Sequence, residues 1–583
     1  MTLSARRARW IVIITLLLLC ICAVRLFDIQ IIQAKTLATE GQIVRTQVSE
    51  VPAQRGTIID ATGTVLADSV QTYHIAANQQ NIARWIHYET VDGKRTQKIQ
   101  GRGPAEAARL LAPLLDIDEA TLGGQLVGDS TYVYLKKNVS AQTYKDIRAL
   151  DIHGIEWEAV TDRVYPNGNT AAPVIGTINA EGKGASGLEA TMDSLLEGVA
   201  GKEAYEIAPN GAVMPGGKKV IEEPMNGATI RTTLHADLQH LVQEKLDDRV
   251  RKHQAEWGAV VVTEVSSGRV LVLADSFSEA PNKSKVQPIS AVQYAFEPGS
   301  VGKVVTMAQA IEKGTSTPTS VYEVASTVQL PGGDGIIKDA IPHPVLNLTS
   351  TGILARSSNV GTMQIGETLT DEERYEFMRL LGFGEVTGIE LPGETTGSLR
   401  PPDQWQGRDR FVTMFGQAYS MNALQEVTLM STIGNGGVRI NPRIIDSWTL
   451  ADGTVHTPQA PEPVQVISAD TAAQIAKMME SVVSGEGGTG GLAKVEGYRV
   501  GIKTGTAEIF EGGTKRILST AAGIIPADKP RLAIAVVIYN PANGLYGDSS
   551  SAPLLGDVGA DAVRILGVPA SAEEAQLYPS SSQ

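Results

Sequence analysis

One Ser-x-x-Lys occurs in the sequence, Ser300-Val301-Gly302-Lys303, directly after a Pro-Gly pair that interrupts the chain. The apolar residues that follow recur at helical spacing, which predicts a buried helix beginning at the serine. Residues three apart lie on one face of a helix, so the Lys303 amine can reach the Ser300 hydroxyl. A neutral lysine beside a serine can take the hydroxyl proton and make the oxygen a nucleophile. The motif alone is weak evidence, because a serine and a lysine one turn apart are more often a solvated surface pair.

Two distant motifs change that balance. Ser357-Ser358-Asn359 follows an apolar helix start and is predicted to lie on a loop, and Lys503-Thr504-Gly505-Thr506 alternates as a strand. A Ser-x-x-Lys, a Ser-Asp-Asn and a Lys-Thr-Gly together form the signature of the serine acyl-transferases that bind penicillin. Ser358 replaces the aspartate of the middle triplet. In the general Ser-x-Asn form of this signature the central residue points away from the chemistry, so the difference carries little weight. Each triplet is weak evidence alone, but all three in this order on helix, loop and strand are strong evidence.

The composition allows a large globular protein and excludes several kinds of site. The 583 residues are enough for two or three domains, and 42% of them are hydrophobic. The net charge is −14 and no long basic run occurs, which argues against nucleic acid as a partner. Both cysteines, Cys20 and Cys22, lie in the N-terminal apolar stretch, so the rest of the chain has neither a disulfide framework nor a thiolate metal site. The histidines form no His-Glu-x-x-His pair, and we expect no metal site.

The N-terminus has the pattern of a membrane anchor. Three arginines precede an uncharged run that begins at Trp10, and apolar residues continue past Arg25 and Asp28 to Ile32. We therefore predict a cytoplasmic tail at residues 1–9 and a transmembrane helix at residues 10–32. The positive flank is N-terminal, which predicts a single-pass plasma-membrane protein whose N-terminus is cytoplasmic and whose catalytic domain is extracytoplasmic. A cleaved signal peptide is the alternative, but the stretch lacks a good Ala-x-Ala-like cleavage site.

The rest of the chain divides into four segments. We predict that residues 33–54 form a polar, mostly helical juxtamembrane stem. Residues 55–226 have the pattern of an elongated, mostly-β pedestal of short strands. From residue 227 to 568 helices alternate with strands, which is the pattern of an antiparallel sheet covered by helices. The Ser-rich residues 569–583 predict a flexible tail. The predicted fold class is α+β.

With its three motifs the chain resembles the class B penicillin-binding proteins, the monofunctional peptidoglycan transpeptidases, over nearly its whole length. Residues Gly184 to Glu189, which also take part in the resemblance, overlap a Gly-x-Gly-x-x-Gly pattern. No hydrophobic strand precedes this pattern, which argues against a dinucleotide site. Ala61-Thr62 and Ala418 depart from the residues that are usual in the family. The resemblance implies a dimerisation-type pedestal followed by a penicillin-binding transpeptidase domain with a serine β-lactamase-like sheet.

Three pedestal segments carry the rest of the resemblance. They are Arg55-Gly56 with Asp60 and Gly63, Arg163-Val164-Tyr165-Pro166-Asn167-Gly168, and Gly184-Ala185-Ser186-Gly187-Leu188-Glu189. The resemblance implies a structural role for these members: Arg55, Gly56, Asp60, Arg163, Pro166, Gly187 and Glu189. We expect Arg55 and Glu189 to form an ion pair inside the pedestal, because a buried charge needs a partner.

The resemblance implies a D-Ala-D-Ala stem peptide as the acyl donor. Ser300 would attack the penultimate D-Ala carbonyl with Lys303 as the base, and Ser357 would relay the proton to the leaving amine. Burial and repulsion from Lys503 would lower the pKa of Lys303 by several units, which a lysine needs to act as a base near neutral pH. No metal or organic cofactor is implied.

The same resemblance implies the residues that bind the substrate. Asn359 would hold the peptide amide, and the motif Lys503-Thr504-Gly505-Thr506 would bind the terminal carboxylate. The backbone N–H groups of Ser300 and Thr506 would form the oxyanion hole.

The implied partners are peptidoglycan stem peptides, β-lactam antibiotics, a membrane-embedded glycan polymerase and divisome proteins. Chain length and the lack of a C-terminal accessory domain favour a septal role, and an elongation-type transpeptidase is the first alternative. A β-lactamase would need a fast deacylating base and would have no use for a pedestal. A membrane β-lactam sensor would need a cytoplasmic signalling domain, for which residues 1–9 are too short. A scaffold with vestigial chemistry is disfavoured by the intact motifs.

Overall fold

The structure is a computed structural model that describes residues 3–35, 46–91, 94–207, 213–279, 287–511, 514–542 and 545–582. The chain divides into two compact units. The first unit takes residues 1–55 and 197–227, and the second takes residues 56–196 and 228–583.

Strands occur along the whole chain after the N-terminal helix. In chain order they are β1 Thr46–Val51, β2 Ile58–Ile59, β3 Val65–Ala77, β4 Ile86–Val91, β5 Lys94–Arg102, β6 Val133–Val139, β7 Ile155–Val164, β8 Gly201–Ile207, β9 Val213–Glu222, β10 Thr229–Thr232, β11 Trp257–Glu264, β12 Val270–Phe277, β13 Val321–Val324, β14 Thr327–Gln329, β15 Ile336–Lys338, β16 Leu346–Thr349, β17 Val438–Arg439, β18 Ile445–Thr449, β19 Val455–His456, β20 Val464–Gln465, β21 Gly501–Glu511, β22 Thr514–Ile525 and β23 Leu532–Tyr539.

Helices are long at the N-terminus and in the second half of the chain. In chain order they are α1 Leu3–Phe27, α2 Gln79–Arg84, α3 Gly103–Leu115, α4 Glu119–Leu126, α5 Ala141–Ala149, α6 Ala172–Ile175, α7 Gly187–Thr191, α8 Asp193–Leu196, α9 Ala236–Lys252, α10 Ser290–Gln293, α11 Lys303–Glu312, α12 Ser350–Arg356, α13 Asn359–Gly366, α14 Asp371–Leu380, α15 Asp409–Val412, α16 Ala423–Gly434, α17 Ala469–Ser484 and α18 Ser551–Ile565.

The first unit begins with an apolar helix. α1 continues into a π-helical turn over Asp28–Ile32, and the stretch Arg6–Ile32 reaches a mean hydropathy of 2.7. Among the described residues it is the one helix long and apolar enough to cross a membrane. Arg25 and Asp28 lie 2.6 Å apart, so the two charges that interrupt the apolar run neutralise each other. This stretch is a candidate membrane anchor, in agreement with the prediction.

The predicted helical stem is wrong in its last part. Residues 36–45 lie outside the described residues, but residues 46–51 form β1, which pairs antiparallel with β8 beside β9. Thr46 and Val48 are β-branched residues at alternate positions, which favour a strand. The partner strand begins only at Gly201, so the local pattern could not reveal the pairing.

Five antiparallel strands in the order β12-β11-β23-β22-β21 form the central sheet of the second unit. β23, in the middle, is apolar and buried throughout. Ile524 lies against Gly434 of α16 and Ile525 against Gly559 of α18, and successive residues of a strand point to opposite faces. Helices therefore cover both faces of the sheet, as predicted, and β21, which carries the Lys-Thr-Gly motif, lies at its edge.

A second sheet joins segments from both sides of residue 227. Its strand order is β19-β18-β10-β2-β3-β6, and β7 also pairs with β3. β2, from the predicted pedestal, pairs in parallel with β10, which follows residue 227. The boundary predicted at this residue thus falls between strands of one sheet.

Helices contribute a separate core to the predicted pedestal. Residues of α2, α3, α4 and α5 pack with β3 and β6 in a hydrophobic cluster of their own, which includes Ile75, Leu111, Leu122 and Ile147. The pedestal region is therefore built from helices as well as strands, within the predicted α+β class.

Two glycines of the Gly-x-Gly-x-x-Gly pattern serve close backbone packing, and the third, Gly182, has a φ of +79° and open space at its Cβ position. A Cβ on Gly184 would lie 1.9 Å from the Glu189 carbonyl oxygen, and one on Gly187 would lie 2.5 Å from the Val174 carbonyl oxygen. Gly187 also has a φ of +54°, a conformation that favours glycine. Close packing at Gly184 and Gly187 and the positive φ of Gly182 account for the pattern without a dinucleotide.

The predicted flexible tail is wrong for residues 578–582. Ser581 forms an antiparallel bridge with Leu348 of β16, and the Thr349 amide donates to the Ser580 carbonyl at 3.1 Å. Side-chain polarity alone suggested disorder, but these contacts are made by the backbone, which any sequence can supply.

Candidate active site

The nucleophile motif lies at the start of a buried helix. Gly299–Gly302 forms a 3-10 turn that runs into α11, whose first residue is Lys303. Lys303 is fully buried, and its Nζ lies 2.9 Å from the Ser300 Oγ. A Cβ on Gly299 would lie 2.6 Å from the carbonyl oxygen of Thr506, so only glycine lets this turn pack against β21. The predicted helix and the predicted Ser–Lys contact are both present.

Ser357 connects the two lysines. It ends α12 in the left-handed conformation, with a φ of +61°. Its Oγ lies 3.1 Å from the Nζ of Lys303 and 2.9 Å from the Nζ of Lys503. The Nζ of Lys303 also donates to the Ser357 carbonyl, and that of Lys503 to the Thr504 carbonyl at 2.8 Å. Ser300, Lys303, Ser357 and Lys503 are therefore linked in one hydrogen-bonded chain.

Burial makes these lysines unusually weak bases. Burial lowers the pKa of Lys303 from 10.5 to about 7, although the Asp339 carboxylate acts in the opposite direction. Burial also lowers the pKa of Lys503 well below its usual value, and the charge of Lys303 adds to this effect. The predicted lowering for Lys303 is present, with burial as its main cause, while the repulsion between the two amines acts on Lys503. Two buried ammonium groups on one hydroxyl disfavour each other, so the pair favours one neutral amine.

Asp339, which no sequence motif indicates, holds the Ser-Ser-Asn loop. Its carboxylate accepts hydrogen bonds from the Ser358 hydroxyl at 2.7 Å, the Asn359 amide at 2.6 Å and the Val360 amide at 3.0 Å. It thus accepts the first N–H groups of α13 at the positive end of the helix. The Nε2 of His343 lies 2.9 Å from the same carboxylate, which raises the pKa of that histidine. Ser358, which stands in place of the aspartate of the Ser-Asp-Asn triplet, therefore points to Asp339 and away from the lysines.

The Asn359 side chain lies at the same loop. It is half-buried, and its Nδ2 donates to the Lys338 carbonyl at 2.9 Å. This contact orients the side-chain amide of Asn359, so that its nitrogen points to the Lys338 carbonyl oxygen.

The edge strand β21 presents the remaining predicted residues. The Thr504 hydroxyl contacts the Thr489 hydroxyl at 2.7 Å, and the Thr506 hydroxyl accepts from the Gly547 amide at 3.2 Å. A Cβ on Gly505 would lie 2.1 Å from the Thr520 hydroxyl, so this position requires glycine. Thr489 and Gly547 come from loops whose sequences carry no signal for this site, and the sequence analysis did not find them.

Two of the predicted pedestal residues form a buried ion pair. Arg163 and Glu189 are both buried, and the Nε of Arg163 lies 2.7 Å from the Glu189 Oε1. Arg163 also donates to the Gly56 carbonyl at 2.7 Å. Both residues were singled out in the sequence, but their pairing was not predicted. Arg55 belongs to the first unit, and its predicted pair with Glu189 stays a prediction.

Asp60 fixes a turn and the start of α9. It accepts from the amides of Thr62 and Thr64, both at 2.8 Å, and from the amide of Ala236 at 2.9 Å. Pro166 lies exposed in the turn that precedes Asn167, whose side chain donates to the Val65 carbonyl at 3.0 Å. These hydrogen bonds connect the pedestal side chains to nearby turns, to β3 and to the start of α9.

No cluster of three or more His, Cys, Asp or Glu side chains suited to a metal ion occurs within the part of the chain that the structure describes. The four side chains of the hydrogen-bonded chain, Ser300, Lys303, Ser357 and Lys503, offer hydroxyls and amines, whereas a metal prefers carboxylate, imidazole or thiolate ligands.

Two family matches cover most of the chain. Residues 258–559 match the penicillin binding protein transpeptidase domain, and residues 50–232 match the penicillin-binding protein dimerisation domain. The chain belongs to the class B penicillin-binding proteins. This confirms the family resemblance and the predicted fold class.

Named relatives extend the likeness along the chain. Penicillin-binding protein PbpB of Mycolicibacterium smegmatis is 32% identical over 95% of this chain and 90% of its own length. Peptidoglycan D,D-transpeptidase FtsI of Escherichia coli is 28% identical over 93% of this chain and 88% of its own length. The crystal structure of penicillin binding protein 3 from Mycobacterium tuberculosis, complexed with aztreonam, covers 92% of this chain and all of its own with a TM-score of 0.69 and 27% identity.

Proposed function

We propose that this class B penicillin-binding protein is a peptidoglycan D,D-transpeptidase in which Ser300 is the nucleophile, Lys303 the base and Ser357 the proton relay. One observation carries the proposal: a buried lysine lies 2.9 Å from a serine hydroxyl and shares a second hydroxyl with another buried lysine. The relative FtsI is named a peptidoglycan D,D-transpeptidase, which supports the reaction class.

Acylation begins with proton removal from Ser300. Neutral Lys303 takes the hydroxyl proton while the Oγ attacks the carbonyl carbon of the penultimate D-Ala. The negative charge that develops on the carbonyl oxygen is stabilised by the backbone N–H groups of Ser300 and Thr506. The close packing of Gly299 against Thr506 supports this arrangement, because it holds the two backbones together.

Ser357 returns the proton to the leaving group. The Lys303 ammonium donates to the Ser357 Oγ, whose own proton passes to the nitrogen of the terminal D-Ala as the C–N bond breaks. The products are free D-Ala and an ester between Ser300 and the remaining peptide. An amine from a second stem peptide then attacks the ester, a base takes the amine proton, and the Ser300 Oγ is protonated again.

Lys503 and β21 select a donor that ends in a carboxylate. Lys503, Thr504 and Thr506 would bind the carboxylate, and Asn359 would hold the peptide amide. Gly505 lets the strand pack against Thr520 and so positions its neighbours. A bound carboxylate favours the charged form of Lys503. Because the two lysines share one hydroxyl, a charged Lys503 in turn favours neutral Lys303, so substrate binding prepares the base.

We place the catalytic unit outside the plasma membrane and assign a septal role. The arginines before the apolar helix support a cytoplasmic N-terminus at residues 1–9 and an anchor at 10–32. The likeness to FtsI and PbpB supports the septal role, with the elongation-type role as the alternative. The partners that we propose are divisome proteins and a membrane-embedded glycan polymerase. We divide the extracytoplasmic part into a pedestal at residues 55–226 and a transpeptidase domain at residues 227–568.

Reaction of the full chain in detergent tests the proposed activity. The enzyme is incubated with a stem peptide that ends in D-Ala-D-Ala and with a second peptide that carries a free amine. We expect release of D-Ala and a cross-linked product by mass spectrometry, and neither with Ser300→Ala. Rapid hydrolysis of penicillin without cross-linked product would instead identify a β-lactamase.

A further inference from the structure

Residues 578–582 form a strap across the helix that ends in Ser357. The Thr349 hydroxyl donates to the Pro579 carbonyl at 2.6 Å, and the Thr349 amide donates to the Ser580 carbonyl at 3.1 Å. Ser581 bridges to Leu348, so β16 lies between β13 and the strap. Thr349 is also the N-cap of α12, and its hydroxyl accepts from the Gly352 amide at 3.0 Å. The strap is therefore bonded to the N-cap residue of α12.

The strap also packs directly on α12 and on α17. A Cβ on Gly352, in the first turn of α12, would lie 1.8 Å from the Ser580 carbonyl oxygen, and its three nearest atoms would all belong to Ser580. The Lys477 Nζ of α17 lies 4.4 Å from the centre of the Tyr578 ring, which packs against the main core. α17 in turn contacts α12. The strap therefore lies against α17 and against the N-terminal end of α12, whereas Ser357 lies at the C-terminal end of α12.

α12 depends on such contacts for its position. It has only seven residues, and a helix of this length is not stable by itself in water. The two-stranded β13–β16 sheet beside it is also not stable by itself in water. Ser357 follows α12 directly and places its Oγ within 3.1 Å of the Nζ of both lysines.

We propose that the 578–582 strap is a positioning element for the acylation reaction, which holds α12 and thereby keeps Ser357 between Lys303 and Lys503. The strap touches neither substrate nor the reacting atoms. This inference rests on the proposed roles of Ser300 and Lys303. It adds a part of the chain that lies outside all three sequence motifs.

Loss of the strap should act on the base. When α12 loosens, Ser357 withdraws and water reaches Lys303, so the pKa of the lysine rises toward its usual value of 10.5. The charged groups that the structure places beside the Lys303 amine are Lys503 and Asp339. Neither residue is substituted in the variants below, so no charge is removed from the site.

Two variants break the contact between the strap and α12 in different ways. One ends after Leu577, and the other is Gly352→Ala, which keeps every strap residue but forces Ser580 away. Alanine is a better helix former than glycine, so Gly352→Ala does not weaken α12 itself. Gly124→Ala is the matched control, because a Cβ there meets no atom within 4 Å.

The rate of acylation by a fluorescent penicillin is measured from pH 6 to 10 on the full chain and each variant. The pH at which the rate reaches half its plateau should rise by about one unit or more in both strap variants, with a loss of about tenfold at neutral pH. Gly124→Ala should behave as the unmodified chain. In the shortened chain Gly352→Ala should add no further effect, because its clashing partner is gone.

The outcomes separate this inference from the proposed function. An unchanged half-plateau pH in both variants, with or without a lower melting temperature, would overturn the strap's role and leave the proposed function intact. Additive effects of the two changes would overturn it as well. If the unmodified chain is not acylated at all, the proposed function itself fails.

Discussion

A single hydroxyl joins the two lysines at the reacting end of the site. Ser357 accepts from or donates to both amines, while Lys303 alone reaches Ser300. We therefore expect different tasks for the two lysines, since Lys303 contacts the proposed nucleophile and Lys503 belongs to the edge strand β21.

Replacement of Lys303 by arginine tests whether this lysine is the base. Arginine keeps the positive charge but cannot be deprotonated in a protein. We expect Lys303→Arg to lower the acylation rate by about 100-fold to 10,000-fold, the range typical of a lost general base. The rate of adduct formation with a fluorescent penicillin measures this, with the melting temperature as a check on folding. A rate within a few-fold of the unmodified chain would show that Lys303 supplies only charge.

The same base gives acylation a defined pH dependence. Lys303 must be neutral to act, and burial sets its pKa at about 7. The acylation rate should therefore fall about tenfold for each pH unit below this value and level off above it. Stopped-flow measurement over pH 5 to 9 reads this directly. A flat profile through pH 7 would mean that another group carries the proton.

The motif residues of the site could be predicted from the sequence, but the residues that hold them in position could not. Ser300, Lys303, Ser357 and Lys503 carry a recognisable order of residue types, and the structure brings them together. Asp339 has no such signal, because an isolated aspartate before a loop is common. Its partners become visible only when the N-terminus of α13 is placed beside it.

At the scale of elements, α16 carries a buried acid in the middle of the fold. Glu426 is fully buried, and neither carboxyl oxygen has a hydrogen-bond partner among the described residues. Burial raises its pKa from 4.5 to about 8. The folded protein therefore binds more protons than the unfolded chain between these values, and its stability falls as pH rises through that range.

Replacement of Glu426 by glutamine should remove this dependence. The shift from 4.5 to about 8 sets an upper limit of about 5 kcal/mol for the stability lost by pH 8. We expect the melting temperature of Glu426→Gln to exceed that of the unmodified chain increasingly from pH 5 to pH 8. The exposed Glu372→Gln on α14 is the control. A constant difference across the range would mean that Glu426 does not titrate there.

Helices and strands could be predicted where the pattern of apolar residues within the segment is enough to specify them. β23 is continuously apolar and α11 has helical apolar spacing, so the central sheet and the nucleophile helix followed from the sequence. β1 and the 578–582 strap were missed for a shared reason. Both are fixed by backbone pairing with a segment far away in the chain, at Gly201 and at Leu348, and side-chain pattern carries no record of that partner.

At the scale of the whole molecule, the predicted anchor raises the question of what it contacts. A helix that only tethers needs length and apolar character, whereas a helix that binds a membrane-embedded polymerase needs particular side chains. We expect a chimera with an unrelated apolar helix in place of residues 10–32 to reach the membrane and to bind penicillin. It should fail to support growth as the sole copy, in a complementation assay. Full growth of the chimera would contradict a specific helix contact.

The central claim is that Ser300 is the acylated nucleophile of a penicillin-binding transpeptidase. The most direct measurement is labelling of the full chain with a fluorescent penicillin, followed by digestion and mass spectrometry of the labelled peptide. We expect a single adduct on the peptide that contains Ser300, and no adduct in Ser300→Ala at an unchanged melting temperature. An adduct on another serine, or continued labelling of a folded Ser300→Ala, would contradict the account.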